Sequence, residues 1–407
     1  MDNRLTSGSY AALNWLNFFA ADVATGVGPF LAIYLAANRH WQPGAIGIAL
    51  SAMSFATVIV QTPAGYIVDK TTHKRGIILA ATSLMGIMGL AIPLYPHFAL
   101  VTTAQVLMGI AGAFYAPTLI ALASCLVRQK DFDHTISRNQ TYNHAGNVAS
   151  ALLIGLAGRY TNNEGVFYCL FALAIGCGLA VLAIRRADIS HPQTATRPHP
   201  KTSKPLLKNK PFALFLAAAF IFHLANAAML PLVGQEISSG KKDNASLYMS
   251  ACIILAQLVM VPVTAWCGRK VTRGRKPLLL AAFIILPLRG VLYIFSTQAA
   301  YLISVQILDG VAAGIFGVVS ILVVNDLAGA SNRSSLAQGM LATAVGLGAS
   351  LSNLAGGYIV QTAGFTTGFL SLSGLALAAM ALLWIGMPET LTPTEETNKI
   401  TQTIPQP

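Results

Sequence analysis

The sequence predicts an all-α membrane protein with twelve transmembrane helices in two pseudo-symmetric six-helix bundles, and three observations support this prediction. First, 10% of the residues are charged and 55% are hydrophobic, whereas a soluble domain carries about 25% charged residues. Second, residues 45–68 and 77–100 contain no charged residue, and a helix needs roughly 20 residues to cross about 30 Å of hydrocarbon. Third, part of the first half of the chain recurs in the second half.

Apolar runs follow one another along the chain, with short polar segments between most of them. No cleavable signal pattern precedes the first run, which is therefore expected to remain as a helix. The predicted spans are residues 13–36, 45–68, 77–95, 98–127, 139–158, 165–184, 212–232, 247–267, 277–296, 300–324, 335–360 and 364–386.

The basic residues predict the orientation. An even number of spans places both termini on one side of the membrane. The segments on that side hold 21 of the 26 Lys and Arg residues, the segments on the other side hold four, and Arg289 lies within a span. Because Lys and Arg accumulate in cytoplasmic loops, both termini are predicted to be cytoplasmic, in a multi-pass protein of a bacterial inner membrane.

The longest polar gap between spans is rich in proline, threonine and basic residues, a composition typical of a flexible linker without a core. The predicted parts are an N-terminal bundle at 1–187, a cytoplasmic linker at 188–211, a C-terminal bundle at 212–388 and a cytoplasmic tail at 389–407.

The two bundles are predicted to be repeats. At an offset of 201 residues, 105–113 aligns with 306–314 with four of nine residues identical, and Asp22 aligns with His223. Internal repeats on this scale are typical of secondary transporters, whose binding sites lie near the middle of the membrane between the repeats.

The charged segment between spans 2 and 3, GYIVDKTTHKRG, resembles a signature of the major facilitator superfamily. Thr72 stands where the signature has its second glycine, and His73 occupies the next basic position. The resemblance implies two bundles that rock around a central cavity lined by spans 1, 4, 7 and 10. It also implies a conformational latch whose charged residues contact helix ends across the two bundles. The matching latch residues are Gly65, Asp69, Lys70, Lys74 and Arg75.

Ionisable residues in spans 1 and 7 are the first candidates for function. Asp22 lies in the middle of span 1, with Thr25 on the same face, and a carboxylate there costs about 2.5–3.5 kcal/mol to insert. His223 has Asn226 one turn further on, and an imidazole titrates near neutral pH. We expect these residues to carry protons or contact the substrate, and the alternative is that they form structural hydrogen bonds.

Span 10 and its repeat partner, span 4, carry further candidates. Asp309 is a second carboxylate within the membrane, with either a coupling or a structural role. Gln105 and Gln306 occupy equivalent points in the two repeats, where their amides could bind a ligand. Arg289 in span 9 is the one cation within a predicted span, and it is interpreted either as a pairing residue or as a partner of an anionic substrate.

Span 5 begins with an unusually polar segment. Asn139, Asn143 and Asn147 recur every four residues on one helical face, with His144 beside them. Polar side chains in a membrane contact protein or water, so this face is either a helix contact or the rim of a gate or ligand site. Antiporters of the family carry Gly-Pro in this span, and this chain has no proline there.

These patterns together predict a secondary transporter that moves a small polar solute across the inner membrane by alternating access, driven by a proton gradient.

 The predicted partners are a small-molecule substrate, protons and the lipid bilayer, and the predicted state is a monomer. Neither a nucleic-acid partner nor a cofactor or metal is expected, and the absence of phosphate-binding and nucleophile motifs argues against an enzyme. Three alternatives stay open: efflux of drug-like cations, transport of a metabolite such as a siderophore, and a non-transporting membrane receptor on the same fold.

Overall fold

The computed structural model describes residues 7–24, 28–127, 131–189, 206–240, 244–271, 274–328 and 334–391. Within these ranges every regular element is a helix. The α-helices are α1 (Ser7–Val23), α2 (Gly28–Ala37), α3 (Pro43–Lys70), α4 (Lys74–Leu94), α5 (Phe98–Gly112), α6 (Tyr115–Leu126), α7 (Phe132–Tyr160), α8 (Gly165–Ala183), α9 (Lys210–Asn226), α10 (Met229–Gly240), α11 (Ala245–Lys270), α12 (Lys276–Leu292), α13 (Ala299–Ala328) and α14 (Ser334–Gly386).

Nine stretches of the described chain are long and apolar enough to cross a membrane. Two more helices do not meet these criteria of length and apolar character. The helix α12 has only 17 residues, and α7 carries the polar face predicted for span 5. The helix α14 corresponds to two predicted spans, because Gly364 has non-helical backbone angles (φ 82°, ψ 169°) and divides it into two helices. The described helices are therefore consistent with the twelve predicted spans and confirm the predicted fold class.

Successive spans run in opposite directions, which defines two ends of the molecule. The terminal end holds the start of α1 and the turn at 71–73, and there the Ser9 hydroxyl donates a hydrogen bond to Asp188 over 2.6 Å. The opposite end holds the turns at 38–42 and 161–164, where Asn38 donates to the carbonyl oxygen of Asn162 over 2.8 Å.

Spans 1, 4 and 7 each consist of two consecutive helices, whereas the sequence predicted one. The breaks at Ala113 and Ala227 lie four residues before Pro117 and Pro231, and a proline ring clashes with the carbonyl group four residues earlier. Proline alone does not decide the outcome, because Pro63 lies within the continuous helix α3. In span 1, α1 ends at Val23 and α2 begins at Gly28, and residues 25–27 lie outside the described residues.

The predicted linker is only partly described. Residues 190–205 lie outside the described residues, but Leu206 is buried and α9 already begins at Lys210. Residues 392–407 of the predicted tail also lie outside them. The tail's first residue, Glu389, accepts hydrogen bonds from the backbone N–H groups of Arg275 and Lys276, so it caps the start of α12.

The predicted repeat is visible in the packing of the first helix of each half. Gly146 of α7 lies against the backbone of Phe18 on α1, and a Cβ atom there would collide with the Phe18 carbonyl oxygen. Gly348 of α14 lies against Phe220 of α9 in the same way. The two contacts are related by 202 residues, within one residue of the offset found in the sequence.

The two halves meet mainly through three helix pairs, α2 with α10, α3 with α14, and α7 with α11. At the opposite end, the backbone N–H of Gly44 donates to Gln361 over 3.0 Å, and the Ser51 hydroxyl donates to the carbonyl oxygen of Ser350 over 2.9 Å. We call the contact between α3 and α14 the closing seam. Its residues are Pro43, Gly44, Gly47, Ser51, Ser350, Asn353, Gly357 and Gln361.

Candidate functional site

Asp22 lies near the end of α1, on the side that packs against α7. Its Oδ2 atom is buried, and its carboxylate interacts with the hydroxyl of Ser150, which is itself fully buried on α7. Thr25, predicted on the same face, lies outside the described residues. The buried Oδ2 atom satisfies one condition for a functional carboxylate, because it is sheltered from lipid.

The polar face predicted for span 5 is present on α7. Asn139 is 5% exposed, and Asn147 donates a hydrogen bond to the side-chain oxygen of Asn143 over 3.4 Å. The Nδ1 atom of His144 is buried and has no hydrogen-bond partner among the described residues. Ser150 continues this face three residues after Asn147, so the polar face leads to Asp22. Ser150 was not among the predicted residues, although helical spacing from Asn147 was a signal for it.

His223 lies on α9 among aromatic side chains. Its ring centroid lies 5.0 Å from that of Phe316 and 5.4 Å from that of Phe222, in edge-to-face geometry in both cases. The Nε2 atom of His223 and the Oδ1 atom of Asn226 are buried and lack hydrogen-bond partners among the described residues. His223 and Asp22 thus have different immediate neighbours, although they occupy aligned positions in the repeat.

Asp309 forms an ion pair with Arg289, and both residues lie in the second half of the chain. Arg289 is 1% exposed, and its guanidinium carbon lies 5.7 Å from the centroid of the Tyr293 ring. Gln306 donates a hydrogen bond to the Tyr293 hydroxyl over 2.9 Å. The carboxylate of Asp309 therefore already has a counter-charge, which favours the structural interpretation of this residue and the pairing interpretation of Arg289.

Gln105 lies at the equivalent point of the first half and is likewise fully buried. Its side-chain nitrogen lies 3.7 Å from the sulfur of Met108, which takes the place of Asp309 in the repeat. The side-chain oxygens of both Gln105 and Gln306 have no hydrogen-bond partner among the described residues. Each glutamine therefore keeps one acceptor atom free for a donor that the described chain does not supply.

The basic latch residues bind the ends of helices in their own half. Lys74 donates to the carbonyl oxygen of Thr71 over 2.8 Å, and Arg75 donates to that of Leu182 over 3.0 Å. These carbonyl groups carry the partial negative charge of a helix C-terminus, which attracts cations. The repeat has an equivalent contact, because Lys276 donates to the carbonyl oxygen of Trp384 over 2.8 Å.

The remaining latch residues form no hydrogen bond or ion pair with the described residues of the second half. Asp69 and Lys70 are exposed at the end of α3, and Lys70 bonds to the Tyr66 hydroxyl of the same helix. A Cβ atom added to Gly65 would meet no atom within 4 Å. The latch contacts across the two bundles therefore stay a prediction of the resemblance.

No cluster of three or more His, Cys, Asp or Glu side chains suited to a metal ion occurs among the described residues. The polar groups of the site are instead amides, hydroxyls, an imidazole and a carboxylate. Such groups can donate hydrogen bonds to a polar solute or accept them from it.

Comparison with known proteins agrees with the fold. The family model of the Major Facilitator Superfamily matches residues 13–288 and 242–405. An uncharacterised MFS-type transporter of Mycobacterium tuberculosis is 39% identical over 389 residues, which cover 93% of each chain. The maltose permease of Geobacillus stearothermophilus is 24% identical over 339 residues, covering 82% of this chain and 83% of the permease.

Two solved structures resemble the whole chain. A mutant of the nucleoside transporter NupG has a TM-score of 0.78 at 16% identity, covering 93% of this chain and all of that one. A D-xylose–proton symporter has a TM-score of 0.71 at 14% identity, covering 95% of this chain and 98% of the symporter. On the strength of the family match and the 39% identity, this chain belongs to the Major Facilitator Superfamily of transporters.

Proposed function

We propose that the protein is a secondary transporter that moves a small polar solute across the inner membrane by alternating access, coupled to protons. The observation that carries the proposal is a set of buried polar atoms on spans 4, 7 and 10 that have no hydrogen-bond partner among the described residues: Oε1 of Gln105, Nε2 of His223, Oδ1 of Asn226 and Oε1 of Gln306. Buried polar atoms are usually hydrogen-bonded, and a polar solute or water would supply the missing bonds.

The distribution of basic residues supports the orientation. With the terminal end in the cytoplasm, the hydrogen bonds at 44 and 51 lie toward the outer side of the membrane. The two bundles are then in contact on the outer side of the membrane, and the latch residue Asp69 is exposed on the cytoplasmic side. We infer that the latch engages the second half when the bundles rock to the opposite state.

Proton coupling is assigned to Asp22. A buried carboxylate in the membrane is costly in its ionised form, and the hydroxyl of Ser150 is one of the groups with which Asp22 interacts. Whether Asp22 binds or releases a proton can therefore depend on whether water reaches its carboxylate. His223, the aligned residue of the repeat, is assigned to the ligand site or the proton route, whereas Asp309 is assigned a structural role through its pair with Arg289.

Hydroxylated compounds are the first candidate solutes to test. Amide and imidazole groups suit hydroxyl donors and acceptors, and the name of the maltose permease among the relatives points to sugars. Thermal-shift measurements on the purified protein with maltose, monosaccharides and nucleosides identify a ligand, since a ligand that binds the folded state raises the melting temperature.

The identified solute is then supplied to proteoliposomes that contain a pH-sensitive dye. The solute gradient is expected to move protons through the wild-type protein. In Asp22→Asn, proton movement is expected to disappear while solute exchange continues. The control is Glu164→Gln, which removes a carboxylate that is partly exposed beside Arg39 at the opposite end. Unchanged coupling in Asp22→Asn would remove this residue from the mechanism.

The same assays separate the alternatives. Competition between protons and lipophilic cations would support efflux of drug-like cations, and transport of an iron-free or iron-loaded chelate would support a siderophore. A ligand that binds but never exchanges across the membrane would support a receptor. We propose a monomer with no enzymatic activity, in which the two bundles at 1–187 and 212–388 move as units.

A further inference from the structure

A cavity lies in the C-terminal half, away from the residues assigned to coupling. It has a volume of about 650 Å³ and is enclosed by the end of α10, the start of α11, the turn before α13 and the second part of α14. We call it the α10 pocket. The residues of interest in its lining are Glu236, Ser239, Tyr248, Thr297, Gln298 and Phe365.

Glu236 is the only carboxylic acid among the described residues that line this pocket. Its Oε2 atom is buried and has no hydrogen-bond partner among the described residues. A partly buried carboxylate without a partner is less stable in its charged form than a carboxylate in water. A cation inside the pocket would offset this cost, because it attracts the carboxylate.

The rest of the lining also favours a positive ligand. Its described residues include no lysine, arginine or histidine, so they offer an anion no counter-charge. Tyr248 and Phe365 contribute aromatic rings, whose faces attract organic cations within about 6 Å of the ring centroid. Ser239, Thr297 and Gln298 add oxygen atoms that can accept hydrogen bonds.

The size and donor set favour an organic cation over a metal ion. A Ca²⁺ ion takes six to eight oxygen ligands, commonly from several carboxylates, whereas the described part of the lining offers one carboxylate. Small-molecule sites typically measure about 300–1,000 Å³, and 650 Å³ lies within that range. Aromatic rings beside a single carboxylate form a suitable environment for an alkylated ammonium group.

We propose that the α10 pocket binds a small organic ammonium ion, with Glu236 as its counter-charge and the rings of Tyr248 and Phe365 against its alkyl groups. This site goes beyond the proposed transport function and does not depend on it. It lies at the opposite end of the molecule, whereas transport is assigned to buried polar groups on other helices.

Choline and 3,3-dimethylbutan-1-ol test the proposal, because they have the same shape and only choline is charged. Isothermal titration calorimetry on the purified full-length protein is expected to show binding of choline and at least tenfold weaker binding of the neutral alcohol. Glu236→Gln keeps the size of the side chain, and we expect it to weaken choline binding at least tenfold. Glu164→Gln, the matched control at the same end, is expected to leave it unchanged.

Ring substitutions supply a second test that keeps the carboxylate. Tyr248→Leu and Phe365→Leu are each expected to weaken choline binding by about fivefold, the scale of a cation–π contact. Each variant is first shown to be folded by its melting temperature and its elution on gel filtration. The proposal would be overturned if choline does not bind, or if choline and the alcohol bind equally. It would also be overturned if Glu236→Gln binds choline as the wild type does, or if sodium chloride at the same concentration gives the same binding signal as choline.

Discussion

The closing seam offers a direct test of alternating access, through Gly357 on α14. A Cβ atom added to Gly357 would lie 2.5 Å from the carbonyl oxygen of Pro43 on α3. The clash involves backbone on both sides, so a side-chain rotation cannot relieve it. Gly357→Ala must therefore push α3 and α14 apart in this conformation, and we expect it to favour the state in which the seam is open.

The size of the effect follows from the cost of overpacking. Inserting a methyl group into a tight contact typically costs about 1–3 kcal/mol. Such a cost, applied to the closed conformation alone, raises the ratio of open to closed molecules by about 5- to 150-fold. The gain in helix stability from replacing glycine with alanine, roughly 0.5–1 kcal/mol, applies to both conformations and does not alter this ratio.

Spin labels on the two halves measure the opening. Tyr160 at the end of α7 and Phe295 after α12 are 78% and 69% exposed at the same end of the molecule. In a background without the native cysteines, double electron–electron resonance between labels at these sites is expected to show a larger long-distance population in Gly357→Ala. Gly374→Ala is the control, because a Cβ atom there meets nothing within 4 Å.

The reasoning is refuted by either of two results. An unchanged distance distribution in Gly357→Ala would mean that the contact with α3 does not hold the seam closed. An equal shift in Gly374→Ala would mean that helix propensity or a general loss of packing, rather than the clash at the seam, changes the conformation.

Two further substitutions probe stability. Asp309→Asn leaves the buried guanidinium of Arg289 without its counter-charge, and we expect the free energy of unfolding to fall by about 3–5 kcal/mol. Replacing Asp309 by leucine and Arg289 by methionine together should recover most of this loss in thermal unfolding. A double variant as unstable as Asp309→Asn would contradict this expectation. Partial burial acts to raise the pKa of Glu389, but backbone N–H donors, including that of Arg275, lower it below its ordinary value. The cap therefore stabilises the protein above the unfolded-state pKa and is lost as the pH falls through the folded-state pKa, so Glu389→Gln should lower the melting temperature at pH 7 and have a smaller effect near pH 3. A difference that does not vary with pH would argue against the cap.

The order of spans and their apolar character follow from the sequence, because crossing a membrane requires long runs without charge. Residues 45–68 and 77–94 illustrate this, since α3 covers the first stretch and α4 covers the second. The polar face of α7 was also predictable, because asparagines every four residues share one side of a helix. The repeat offset was visible in sequence and reappears in the contacts of Gly146 and Gly348.

Partners that are distant in the chain required the tertiary structure. The ion pair of Arg289 with Asp309 joins two spans, and no local pattern specifies which charged residues meet. The seam contact of Gly357 with Pro43 likewise joins positions more than 300 residues apart. Sequence determines which segments enter the membrane through solvation of each residue, whereas helix packing decides which polar groups pair and which remain available to a ligand.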